Sequence, residues 1–111
     1  MMNIIEKPWG KEELLEINDN YVVKRLTMKK GHQCSLQYHE KKHETIYVVE
    51  GKLHIRIGDE WKILQPGEFV ALLPRIVHRM KAVESDVIYL ESSTTELDDV
   101  VRLEDDYRKI D

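Results

Sequence analysis

Short extended runs separated by turn residues fill most of this chain of 111 residues. Two runs, Lys11–Ile17 and Tyr21–Lys29, stand on either side of the turn signal Asn18-Asp19-Asn20. Apolar and polar residues alternate strictly in Leu53-His54-Ile55-Arg56-Ile57, which is typical of a strand with one buried face. Many short strands with turns at this spacing favour an antiparallel sandwich or barrel, so we predict an all-β protein.

The remaining predicted strands complete one barrel. They are Ser35–His39, His43–Glu50, Phe69–Leu73, His78–Ala82 and Asp86–Leu90. The predicted core contains Val22, Leu26, Ile46, Val48, Ile55, Phe69, Leu72 and Val87. Such a set of strands matches a jelly roll, the all-β architecture whose interior carries ligand sites.

The C-terminal segment has the pattern of a helix rather than that of a strand. Thr95 offers a capping hydroxyl, and the acidic residue Asp98 follows three residues later. Leu97, Val100 and Val101 then follow at helical spacing. We therefore expect a short C-terminal helix that packs against the barrel.

Length and charge limit the domain count and the partners. With 41% hydrophobic residues, the chain is long enough for one domain with one core, so residues 1–111 are predicted to form a single domain. The net charge is −4 and the isoelectric point is near 5.7. Phosphate backbones and acidic lipids repel a protein with a net negative charge. The charge therefore argues against nucleic-acid and membrane partners and leaves small molecules or proteins.

Neither the N-terminus nor the cysteine content suggests export. The first eight residues lack a basic region followed by an apolar stretch, and no window approaches a membrane-spanning length. We expect a cytoplasmic protein. The single cysteine, Cys34, cannot form an internal disulfide. Strand alternation places it opposite Gln37 and His39, so we expect it to pack outside the barrel.

Four side chains suit a metal site. Gln37 and His39 share one face of a predicted strand, because side chains alternate along an extended segment. After a short turn, the returning strand can set Glu44 beside them, and His78 supplies a fourth donor. Imidazole nitrogens with carboxylate and amide oxygens suit Zn, Mn, Fe, Ni or Co.

The spacing of these residues resembles a known pair of motifs. Gly31-x5-Gln37-x-His39-x4-Glu44-x6-Gly51 keeps the spacing of the first cupin motif, with Gln where many cupins carry a His. The separation from Gly67 to His78 is similar to that of the second motif, although Arg75 stands where a Gly is usual. The resemblance implies a jelly-roll barrel with a divalent metal, zinc first, held by Gln37, His39, Glu44 and His78.

A closer resemblance covers nearly the whole chain. The landmarks are Lys7-Pro8-Trp9-Gly10, Tyr21–Leu26, Ser35–His39, His78-Arg79-Met80 and the tail Asp98–Tyr107. Together they resemble the C-terminal cupin domain of type II phosphomannose isomerases. In bifunctional members that domain follows a nucleotidyltransferase domain, for which 111 residues have no room. We expect the isomerase-type cupin standing alone.

The resemblance implies a metal-dependent isomerase or epimerase of a sugar or sugar phosphate. Such an enzyme moves a proton between adjacent carbons while charge builds on an oxygen, which a metal stabilises as a Lewis acid. Lys42 falls where the family carries a basic residue that matters for activity, so Lys42 is the candidate catalytic residue. The alternative interpretation of Lys42 is a solvated loop lysine.

Two other functions stay open. The chain departs from the family's His-rich run with His39-Glu40-Lys41-Lys42, and from its closing Tyr-Gly-Arg with Tyr107-Arg108-Lys109. These changes leave the metal ligands in place but bear on the substrate. The alternatives are a non-catalytic sugar-binding or regulatory cupin and a metal-dependent oxygenase or lyase.

Other histidines have structural interpretations. His43 has the opposite parity to Glu44 and is expected to face away from the site, and His32 is expected at the surface. His54 shares a strand face with Arg56, and that face could point to the pocket or to the solvent.

A homodimer is expected. Leu36, Tyr38 and Tyr47 point away from the ligand face by parity, so they could form a dimer contact or an outer core. The position of Arg75 allows two outcomes. A negative φ would free its guanidinium to bind a phosphate, whereas a positive φ would store strain.

Overall fold

Residues 3–109 are described by the computed structural model, and they form two antiparallel β-sheets. The strands are β1 Asn3–Lys7, β2 Gly10–Ile17, β3 Val22–Met28, β4 Leu36–Tyr38, β5 Glu44–Glu50, β6 Leu53–Ile57, β7 Glu60–Leu64, β8 Phe69–Leu72, β9 His78–Ala82, β10 Val87–Ser93 and β11 Val101–Glu104. The all-β jelly-roll prediction is confirmed, with more strands than the sequence indicated.

The strand order explains how the two sheets enclose a site. One sheet has the order β1-β2-β3-β10-β5-β8, and the other has the order β11-β4-β9-β6-β7. From β4 onward, each strand lies in the opposite sheet from the strand before it, except that β6 and β7 lie in the same sheet. The strands β4 and β5 therefore lie in different sheets. The expectation that Glu44 lies on a strand adjacent to that of Gln37 and His39 is wrong, because Glu44 approaches His39 from the opposite sheet.

The core lies between the two sheets and follows strand alternation. Ile46 and Val48 of β5 are fully buried, whereas Tyr47 between them is 43% exposed. Leu53 and Ile55 of β6 face them from the other sheet. Burying each such side chain stabilises the fold by roughly 1.5–3 kcal/mol.

Phe69 is an exception to the predicted core. It is 67% exposed and lies opposite Tyr47 in the pairing of β5 with β8, so both rings are on the outer face. Val70 and Leu72 are the β8 residues that pack inward. Of the residues considered for a dimer contact or an outer core, Leu36 is buried and Tyr38 is half-buried. The homodimer stays a prediction.

The predicted C-terminal helix is absent. Val101–Glu104 instead forms β11, which pairs with β4 at an edge of the smaller sheet. Pairing there satisfies backbone groups that an open edge would leave exposed, and this outweighs the helical spacing of the apolar residues. The described range contains no helix, so no helix in it could cross a membrane.

Cys34 lies inside the barrel, not outside. Gln33 pairs with Lys81 and Gln37 with His78, so four steps along one strand match three along the other. The extra residue is a β-bulge, and it reverses the alternation of side chains before Gln37. Cys34 therefore joins the core, where burial raises the pKa of its thiol to about 12.

Arg75 adopts the left-handed backbone conformation with φ of 70°. Its N–H donates to the carbonyl of His39 at 2.6 Å, which ties the turn before β9 to the end of β4. A residue with a Cβ resists this conformation, which explains why Gly is usual here. The exposed guanidinium lies 3.3 Å from Glu40. Of the two outcomes considered for Arg75, the positive φ with stored backbone strain is the one observed.

Candidate metal centre

Three buried side chains converge between the two sheets. His39 follows β4, Glu44 begins β5 and His78 begins β9. Each offers one donor atom, and these atoms all lie within 4.8 Å of one another. The two sheets thus bring together three of the four predicted ligands.

Both imidazoles are held by backbone carbonyls. Nδ1 of His39 lies 2.5 Å from the carbonyl oxygen of Asp99, and Nδ1 of His78 lies 2.9 Å from that of Ile76. A carbonyl only accepts, so each Nδ1 carries the proton and donates it. The Nε2 lone pairs of both rings are left free, as metal-binding histidines require.

Four polar atoms of these residues are buried and accept or donate no hydrogen bond of good geometry within residues 3–109, although the Lys42 ammonium lies 3.1 Å from Oε2 of Glu44. They are Nε2 of His39, Nε2 of His78 and both carboxylate oxygens of Glu44. The His39 and His78 nitrogens lie 3.7 and 3.4 Å from these oxygens. Ligands about 2.1 Å from a tetrahedral ion are separated by roughly 3.4 Å. Since orphaned buried atoms are costly, the donor set fits a divalent metal.

The charge state of Glu44 also suits a metal. Burial would raise the pKa of its carboxyl group, but the His39 and His78 rings in their protonated form and the nearby Lys42 ammonium together hold it below the ordinary value. Glu44 is therefore an ionised carboxylate, and metal ligation needs this form.

Gln37 lies on the same face of the sheet. Its Cα is paired with that of His78, and neighbours in such a pair point to the same side. Its Oε1 accepts a hydrogen bond from Ser35 at 2.5 Å and keeps a second lone pair. Its role as a fourth ligand stays a prediction.

Lys42 is buried in the site, so the interpretation as a solvated loop lysine is wrong. Its Nζ lies 3.1 Å from Glu44 and 3.6 Å from Glu91. Burial alone would lower the pKa of Lys42, but the two carboxylates outweigh that effect and raise it. Lys42 is thus an ammonium ion, and its catalytic role stays a prediction.

Sequence reasoning missed Glu91. This carboxyl group is on β10, and burial, with the charge of Glu44, raises its pKa against the opposing effect of Lys42. A signal was present, because Val87, Tyr89 and Glu91 share one face of a strand by parity. An acidic residue on such an apolar face indicates a functional or paired group.

Of the predicted ligands, Gln37 and His39 line a cavity of about 530 Å³, and Glu44 and His78 lie buried behind them. Its lining combines apolar and polar groups, which include Trp9, Cys34, Gln37, His39, Lys42, Met80, Tyr89 and Glu91. Five cationic residues also line it, namely Lys7, Lys24, Lys42, Arg102 and Arg108. The volume is in the range of small-molecule sites.

The other histidines lie elsewhere. His43 is exposed, as expected. His32 is half-buried, stacks on Tyr107 and lies 2.6 Å from its hydroxyl oxygen. Nε2 of His54 lies 2.8 Å from Glu84 on the outer face of the smaller sheet, so this side chain faces solvent rather than the cavity.

Comparison with known proteins agrees with this architecture. Residues 1–105 match the family model described as mannose-6-phosphate isomerase C-terminal. Mannose-1-phosphate guanylyltransferase ManC of Salmonella typhimurium is 34% identical over 110 residues, covering 96% of this chain and 23% of the relative. Xanthan biosynthesis protein XanB of Xanthomonas campestris pv. campestris is 32% identical, covering 93% and 23%. The chain thus spans less than a quarter of these relatives.

The solved structures show the fold. An RmlC-like cupin from Shewanella frigidimarina superposes with a TM-score of 0.78 at 21% identity, covering 86% of each chain. Such low identity supports the cupin architecture and nothing finer. The family match extends over nearly the full length, and the chain belongs to the mannose-6-phosphate isomerase C-terminal family of cupin domains.

Proposed function

We propose that this domain binds a divalent metal through Gln37, His39, Glu44 and His78 and isomerises or epimerises a sugar phosphate. The observation that carries the proposal is the convergence of His39, Glu44 and His78 in a buried site, where the two Nε2 atoms have no hydrogen-bond partner within residues 3–109. Zinc is the first expectation for these nitrogen and oxygen donors, with Mn, Fe, Ni or Co as alternatives. The family supports a reaction of the mannose-6-phosphate isomerase type.

The metal and Lys42 would both stabilise the sugar oxygen on which negative charge develops during the reaction. When bound, a divalent ion supplies Lewis-acid polarisation of a sugar oxygen. The Lys42 ammonium, held by Glu44 and Glu91, lines the cavity and donates a hydrogen bond or a proton to the same oxygen.

Proton transfer between adjacent carbons also needs a base. Glu91 is the buried carboxyl group that lines the cavity beside Lys42. Its pKa is raised by burial, which makes its carboxylate a better proton acceptor than an exposed one. Glu12 is less suited, because Lys24 lies 2.8 Å from its carboxylate, a closer ion pair than the 3.6 Å contact between Lys42 and Glu91.

Two cations are available for the phosphate. Lys24, Lys42 and Arg108 are paired with carboxylates. Within residues 3–109, the side chains of Lys7 and Arg102 form no ion pair although both line the cavity. Arg102 is paired in register with Gln37, so it lies on the face that carries the metal ligands. Its guanidinium suits bidentate contact with a phosphate.

Metal analysis of the purified protein and a screen of phosphorylated hexoses and pentoses test the proposal. We expect stoichiometric metal and an isomerisation that a chelator abolishes and the metal restores. Metal and sugar affinity without any product would instead establish a sugar-binding module. Oxygen consumption or bond cleavage would establish an oxygenase or lyase.

A further inference from the structure

Asp99 contacts the candidate site through both its main chain and its side chain. It lies between β10 and β11, in a segment whose neighbours Asp98 and Val100 line the cavity. Its carbonyl accepts the Nδ1 proton of His39. Neither contact could be found from the sequence, since Asp99 is 60 residues from His39.

The carboxylate of Asp99 holds the turn that follows His39. One oxygen accepts the N–H of Glu40 at 3.0 Å. The other accepts the N–H groups of Lys41 and Lys42 at 2.7 and 2.9 Å. Three consecutive backbone donors therefore end on one side chain, which fixes the path of the chain from His39 to Lys42.

These contacts have two consequences for the site. The carbonyl selects the tautomer of His39 that keeps Nε2 unprotonated and aimed at Glu44. The carboxylate sets the backbone from which Lys42 turns inward to Glu44 and Glu91. Outer groups of this kind commonly change metal affinity by about 10- to 100-fold when removed.

We propose that Asp99 is the positioning residue of this site, fixing the tautomer of His39 through its carbonyl and the placement of Lys42 through its carboxylate. The inference deepens the proposed function and rests on its metal site. Asp99 itself touches neither metal nor substrate in this role.

The test compares Asp99→Ala, Asp99→Asn and the neighbouring Asp98→Ala. Asp98 is the matched control, because it is exposed and its carboxylate makes no hydrogen bond within the described range. Nitrogen-15 NMR of the metal-free protein, at a pH where imidazole is neutral, reads the His39 tautomer. Competition with a chromophoric chelator reads the Zn²⁺ dissociation constant, and the Co²⁺ spectrum reads ligand geometry.

We expect wild-type His39 to carry its proton on Nδ1. Asp99→Ala keeps the backbone carbonyl that accepts the His39 proton, so the Nδ1 tautomer should persist. Loss of the carboxylate frees the turn that follows His39, and it should weaken Zn²⁺ binding by about 10- to 100-fold and alter the Co²⁺ spectrum. Asp99→Asn should lie between Asp99→Ala and the wild type, because one amide oxygen replaces two acceptor oxygens. Asp98→Ala should match the wild type in all three measurements.

Two results would overturn the inference. One is a wild-type His39 protonated on Nε2, a measurement that needs no variant to fold. The other is a folded Asp99→Ala protein with unchanged Zn²⁺ affinity and an unchanged Co²⁺ spectrum. A wild type that binds no metal would remove the proposed function, while the tautomer measurement would still decide the first role of Asp99.

Discussion

Lys42 is a charged residue in a place where charge is costly. Only about 5% of its surface is exposed, and a buried ammonium is tolerated when carboxylates pair with it. Glu44 and Glu91 provide that pairing. One carboxylate oxygen of Glu44 faces His39 and Lys42 and the other faces His78, so the site combines candidate ligands and a proton donor within one cluster of buried side chains.

Replacing Lys42 should separate metal binding from turnover. We expect Lys42→Ala to retain metal and to lose sugar-phosphate turnover. It should also destabilise the fold by roughly 3 kcal/mol, because Glu91 loses its partner. Lys41→Ala is the control, since that exposed neighbour should be neutral within about 0.5 kcal/mol. Unchanged turnover in Lys42→Ala, assayed at saturating metal, would remove Lys42 from the mechanism.

Replacing either histidine should remove the metal and spare the fold. We expect His39→Ala and His78→Ala to lose stoichiometric metal, because each removes one of three converging donors. The core supplies the stability of the fold and is independent of both rings. Elemental analysis and circular dichroism measure the two effects. His43→Ala, an exposed control, should keep its metal, and metal retained in both site variants would contradict the assignment.

Whether a segment forms a strand or a helix depends on the partners that it can pair with. Val101–Glu104 has apolar residues at helical spacing but forms a strand, because β4 offers it a free edge. The turn at Arg75 illustrates a different compromise. It keeps the left-handed conformation needed to enter β9 although the side chain opposes it.

Arg75→Gly should therefore stabilise the protein. The left-handed conformation costs a residue with a Cβ about 1–2 kcal/mol, and the greater freedom of Gly in the unfolded chain offsets part of this gain. We expect a net increase of up to about 1 kcal/mol in the free energy of unfolding, measured by urea denaturation. Arg75→Ala separates the causes, because it removes the exposed ion pair with Glu40 and keeps the Cβ. A less stable Arg75→Gly protein would refute the strain argument.

At the scale of the whole molecule, the candidate site joins the two sheets. Glu44 belongs to the larger sheet, whereas His78 belongs to the smaller one and His39 directly follows β4 of the same sheet. A bound ion would thus connect the sheets across the barrel interior. His39 and Gln37 also line the cavity, so the candidate site borders the space that a substrate could fill.

Metal should accordingly raise the melting temperature. A ligand that binds only the folded state at 100 times its dissociation constant stabilises that state by about 2.7 kcal/mol. We expect the zinc-loaded protein to melt several degrees above the chelator-treated protein in calorimetry. The melting temperature of His78→Ala should not respond to metal. Equal melting temperatures for the two wild-type forms at saturating zinc would show that the site holds no ion.

Local patterns in the sequence were enough for the class of fold and for three side chains that meet in the candidate site. Alternation along a strand depends only on neighbouring residues, so β9 was predicted at its observed bounds and Ile46 and Val48 were placed in the core. The spacing of His39, Glu44 and His78 likewise predicted their convergence. The sequence also showed a resemblance to the family that the chain proved to belong to.

Tertiary structure decided what depends on distant partners. The separation of β4 and β5 into two sheets, the bulge that turns Cys34 inward and the outward position of Phe69 all follow from strand pairing across the chain. The contacts of Lys42 with Glu91 and of Asp99 with His39 span about half of the sequence. Spacing along the chain carries no information about such pairs, because register and sheet partition are set by the packing of the complete barrel.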